Sequence, residues 1–103
     1  MREIIMGGET HKIRCDLNVL EAIEEKYGSI DAITKKRSIS STKFLAAEMI
    51  NEHNRVTRIP DRMTPEDVGA RMNFPEYAQA WKEIIAEFLD CVIVKKKESE
   101  RTN

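Results

Sequence analysis

A chain of 103 residues, 41% hydrophobic and 34% charged, has the size and composition of one small globular domain. Its 17 Lys+Arg stand against 18 Asp+Glu, so it lacks the cationic surplus of a protein whose main task is to coat nucleic acid. The longest apolar runs, such as Ile84 to Ala86, fall far below the ~20 residues that cross a bilayer, and the start MREIIMGGETHK meets Glu3 and Gly7-Gly8 before a secretory apolar core accumulates; a location in the cytoplasm, away from membranes, is expected.

Residues Glu3 to Met6 and Glu9 to Cys15 are β-capable runs separated by Gly7-Gly8, a pair suited to the positive φ angles of a two-residue turn, and they predict a hairpin. In the second run His11, Ile13 and Cys15 share one face and Lys12 and Arg14 the other, so one side should be buried. Asn18, three residues before Glu21, has the form of a capping box, and Leu17, Leu20, Ile23 and Tyr27 recur at helical spacing up to Gly28, which predicts a helix from about Val19 to Tyr27. Ser29 can cap a short helix through Ile30 and Ile33. Lys35 to Ser41 then reads as a polar connection.

Ser41 or Thr42 is expected to cap a third helix, about Lys43 to Asn54, apolar around more than half its circumference and central to the core. A loop from Arg55 to Met63 follows. Thr64-Pro65-Glu66-Asp67 is a start signal with Thr as cap, Pro at the first helical position and acids at the positive end of the dipole, and Gly69 should keep this helix short. Pro75 opens the last helix, whose stripe of Tyr77, Trp81, Ile84, Ile85, Phe88, Leu89 and Val92 predicts the largest share of the core, with Trp81 largely buried and Glu76, Lys82, Glu83, Glu87 and Asp90 facing away. The expected fold is α+β: a mostly helical single domain over residues 1–94, with an N-terminal β-hairpin and four to five helices. Residues 95–103 form a polar tail expected to be disordered.

Charge alternates along the chain. Residues 1–33 hold 4 basic and 7 acidic groups, 34–62 hold 7 and 3, 64–94 hold 2 and 6, and 95–103 hold 4 and 2. The pattern suits docking of unlike patches between protein chains, and it also describes charged helices that face water. The residues that could carry chemistry are few. His11 and Cys15 on one strand face lack a second ligand pair, His53 near a helix end fits contact with terminal carbonyls, and Cys15 and Cys91 are expected to be reduced and partly buried. No catalytic, cofactor or metal residue is predicted. Thr64 to Phe74 followed by a long helix has the look of a DNA-binding helix-turn-helix, but Glu76, Glu83, Glu87 and Asp90 against Lys82 alone make a poor groove-reading helix, so nucleic acid is not expected as a partner. Met63, Met72 and Phe74, around the short helix, are the candidate partner-binding residues, because apolar groups near a helix junction can line a groove for a partner helix.

The glycine-turned hairpin, Asp16-Leu17-Asn18, the helix Leu20-Glu21-Ala22-Ile23-Glu24-Glu25-Lys26-Tyr27-Gly28-Ser29 and the later Thr64-Pro65-Glu66-Asp67-Val68-Gly69 step together resemble the tail assembly chaperones of long-tailed phages and prophages. They are similar also to the small tail proteins of gene transfer agents. The resemblance implies a non-enzymatic chaperone in the bacterial host cytoplasm, with the tape-measure and tail-tube proteins as partners. It assigns Asn18, Glu21 and Gly28 only as helix start and stop, and leaves oligomeric state open. Many such chaperones have a frameshifted longer form, for which the A-rich codons of Lys95-Lys96-Lys97 could supply a slippery site.

Overall fold

The structure, a computed structural model, describes residues 2–35 and 37–93; the expected tail and the lysine run at 95–97 lie outside them. Strands β1 (Glu3–Met6) and β2 (Glu9–Lys12) form an antiparallel hairpin in the register Glu3↔Lys12, Ile4↔His11, Ile5↔Thr10, Met6↔Glu9. Gly7 and Gly8 turn it at φ of 59° and 80°, which the missing Cβ allows. Alternation does the rest: Ile4, Met6 and Ile13 are buried while Ile5 faces out.

Four α-helices and one 3₁₀ helix follow among the described residues: α1 (Leu17–Tyr27), a 3₁₀ turn (Ile30–Lys35), α2 (Ile39–Val56), α3 (Pro65–Arg71) and α4 (Phe74–Val92). The expected α+β domain with its N-terminal hairpin is the observed one, and helix makes up 67% of the described residues. The expected stops and starts at Gly28 (φ 89°) and Thr64 also stand, the latter with a reciprocal capping box to Asp67.

Two helix starts differ from expectation. The cap of α1 is Asp16, whose carboxylate accepts from the N–H groups of Asn18 and Val19, so Asn18 is a first-turn residue free to point elsewhere. The cap of α2 is Ser38, which forms a box with Ser41; the helix therefore starts four residues before Lys43 and takes Ile39 out of the presumed polar connection. Both shifts have one cause. Several Ser, Asn and Asp residues precede each helix, and any of them can accept from a free N–H, so tertiary packing selects among them.

Helix α2 lies at the centre, packed against α1, α3, α4 and β2, and buries Leu45, Ala46, Ala47, Met49 and Ile50. Helix α4 packs on β1 and α2 through Ala80, Ile84 and Phe88. Trp81 was expected to be largely buried; it is half-buried at the edge of the core, and Leu89 is 36% exposed. The buried stripe of α4 is thus narrower than its apolar stripe, because a hairpin and a single helix cover only part of its circumference. Phe88→Ala should destabilise by about 3 to 5 kcal/mol and Trp81→Ala by clearly less, as read from urea midpoints; equal losses would contradict this packing.

Candidate functional site

The acidic residues of α4 do not simply face water. Glu76 is the third residue of the helix, where its carboxylate completes a capping box with Asn73: Asn73 Oδ1 accepts from the Glu76 N–H at 2.9 Å, and Glu76 Oε1 accepts from the Asn73 N–H at 3.0 Å. The same carboxylate accepts the Gly7 and Gly8 N–H groups, each at 3.0 Å, which fastens the hairpin turn to the start of α4. Those backbone donors hold its carboxyl below the usual range, Asn73 first and then Gly7 and Gly8. Further along, Glu87 accepts the Cys15 N–H at 3.1 Å, and Arg2 reaches Glu83, Glu87 and Asp90. One side of α4 is given to the core and the adjoining side to the hairpin.

A second polar cluster joins α1 to α2. Buried Glu52 receives Arg55 Nε at 2.9 Å, Arg55 Nη2 at 2.7 Å and Asn18 Nδ2 at 3.0 Å. The Arg55 hydrogen bonds are the main reason its carboxyl is lowered from 4.5 to about 2. Glu48 next to it is raised, by burial first and then by the Glu52 charge.

The three candidate contact residues part company in space. Met72 and Phe74 line an apolar hollow of about 130 Å³ between the start of α2, the end of α3 and the start of α4. Ile39 and Tyr77 complete its walls, and Lys43 and Gly69 lie at its side. A Cβ on Gly69 would stand 2.9 Å from Lys43 Cδ, so the glycine makes room for the lysine stem. Phe74 is 70% and Ile39 56% exposed. Met63 sits elsewhere: Asn51 clamps its backbone, accepting from its N–H at 2.8 Å and donating to its carbonyl at 2.7 Å, and its side chain packs on the core. The sequence signals for the unexpected members were weak ones, a glycine within α3 and an isolated Ile39 among Ser and Lys.

His11 and His53 line one cavity of about 360 Å³ together with Ile59 and Asp61. His11 Nε2 and His53 Nδ1 are both buried without a hydrogen-bond partner among the described residues. The carbonyls at the end of α2 are met by Thr57 instead, whose Oγ1 donates to the His53 carbonyl at 2.8 Å. Cys15 lies within hydrogen-bonding reach of Cys91, and neither cysteine is in a disulfide. Burial first, then the hydrogen bond with Cys91, pushes the Cys15 thiol far up, so it is a poor nucleophile at neutral pH. Among the described residues no group of three or more His, Cys, Asp and Glu is arranged to hold a metal ion, and no helix is long and apolar enough to cross a membrane.

No family model, curated protein or solved structure matches the chain.

The carboxylates fix the direction of the acid response. Glu52 and Glu76 are lowered in the fold, so each contributes stability above its unfolded value that is lost as pH falls; for Glu52 the window runs from about 4.5 down to about 2. Glu48, being raised, acts in the opposite direction and above that window, between 4.5 and its higher folded value. Unfolding midpoints should therefore fall on acidification below pH 4.5. Glu52→Gln should cost about 1 to 3 kcal/mol at neutral pH and flatten the acid limb, whereas an unchanged limb would remove Glu52 from the account.

Proposed function

We propose that this chain acts by binding a protein partner rather than by catalysis, as a tail assembly chaperone of a long-tailed phage or prophage that holds the tape-measure protein, and with it the tail-tube subunit, during tail morphogenesis. The observation that carries the reading is the hollow beside Phe74, Ile39 and Met72, an apolar recess with two large side chains exposed at its mouth. An amphipathic helix is the natural occupant of such a recess, because its apolar face can fill what a polar ligand would leave dry. The resemblance of the hairpin, the Leu-Glu-Glu helix and the Thr64 to Gly69 step supplies the particular partner.

A DNA-binding helix-turn-helix draws less support. Helix α4, its would-be reading helix, gives one side to the core and the adjoining side to the hairpin and Arg2, and between Phe74 and Val92 it carries Lys82 as its one Lys or Arg to offer phosphate.

Co-expression with the tape-measure protein is the test. The tape-measure protein should become soluble and copurify with this chain, and Phe74→Asp, at an exposed position, should weaken the complex at least about tenfold, or ~1.4 kcal/mol, with an unchanged far-UV spectrum. A tape-measure protein equally insoluble with and without this chain, and never copurifying, rejects the assignment.

A further inference from the structure

We propose that the Phe74 recess also receives the Leu17 end of α1 from a second copy of this chain, so that molecules associate through two unlike surfaces. The receiving surface is apolar inside and cationic at the rim. Its volume of about 130 Å³ is close to the ~150 Å³ of an apolar cavity that accepts benzene, so one leucine side chain fills it. Lys43 lies in its wall, and Arg37 is stacked over the Tyr77 ring at 5.6 Å. Helix α2 begins here, at Ile39, behind a neutral Ser38 cap, which adds the positive end of its dipole.

The inserting surface has the opposite character. Leu17, the first residue of α1, is 80% exposed, more than any other large apolar residue described. Glu21 and Glu24 follow one and two turns along the same face, and both are exposed. Leu17, Leu20 and Ile30 line a shallow depression together with those two acids. No ion pair within the chain involves Lys43, Arg37, Glu21 or Glu24 among the described residues. A leucine flanked by carboxylates matches a leucine-sized recess flanked by cations, and that match fixes both register and orientation.

A single molecule cannot make this contact. Helix α1 runs antiparallel to α2, with Tyr27 against Phe44 and Asn18 bonded to Glu52. Leu17 therefore lies at the far end of α2 from Ile39, about 20 Å away at ~1.5 Å per residue. Two different patches in contact make the association heterologous, the type that builds rings or open chains.

Sedimentation of the purified chain tests this directly, since it contains no other protein; its failure leaves the partner reading above to its own co-expression test. The mass should rise with concentration between about 10 µM and 1 mM, the range of a small, single-anchor contact. Leu17→Asp and Phe74→Asp, both at exposed positions, should each be monomeric with native far-UV spectra. Mixed together they should form a one-to-one pair, because the first variant keeps its recess and the second keeps its leucine. Glu21→Lys should weaken association about tenfold or more, and a Lys43→Glu partner should restore it. A wild-type chain that stays monomeric to about 1 mM, variants that associate like wild type, or a mixture that stays monomeric overturns the proposal.

Discussion

The Glu76 carboxylate is the point on which the two halves of the fold depend. A two-stranded hairpin is marginal in water and needs a surface to lie on, and the natural surface, α4, begins with unsatisfied N–H groups of its own. One side chain serves both needs, since it accepts the Asn73 N–H at the helix start and the Gly7 and Gly8 N–H groups at the turn. The close pair of acceptor oxygens sets the approach of the turn to the helix. That approach seats Ile4 and Met6 against α4 and the core, and Glu87 and Arg2 continue the attachment along the helix.

Elements specified by local chemistry were legible in the sequence. The Gly7-Gly8 turn, the Gly28 stop and the Thr64-Pro65 start each depend on a backbone conformation or cap that few residue types satisfy, and each stands where it was expected. Features chosen by tertiary packing were not. Asp16 displaces Asn18 as the cap of α1 because Asn18 is needed against Glu52, a residue 34 positions away. Trp81 sits within the right periodicity, yet the small hairpin does not extend far enough to cover it. The acids of α4 have the spacing of a solvated face, and only the position of the hairpin reveals their task.

The candidate site was half legible for the same reason. Met72 and Phe74 flank a helix junction that the sequence marks, and they do share a recess. Met63 flanks it too, but Asn51 holds the Met63 backbone against α2 and turns that residue toward another part of the surface. Ile39 and Lys43 reach the recess from a helix start that local signals placed four residues too late. The paired thiols of Cys15 and Cys91 were equally hidden, since nothing in a separation of 76 residues announces a neighbour.

Gly69 shows how a residue without a side chain can set the tolerance of a surface to change. In an exposed helix, alanine in place of glycine usually stabilises by roughly 0.5 to 1 kcal/mol, so drift should favour it. Here the added methyl would meet the middle of the Lys43 stem at 2.9 Å. The lysine stem would have to shift, and with it the cation at the side of the recess. Alanine at position 69 would thus gain helix propensity only by displacing a side chain that belongs to the surface of the neighbouring helix.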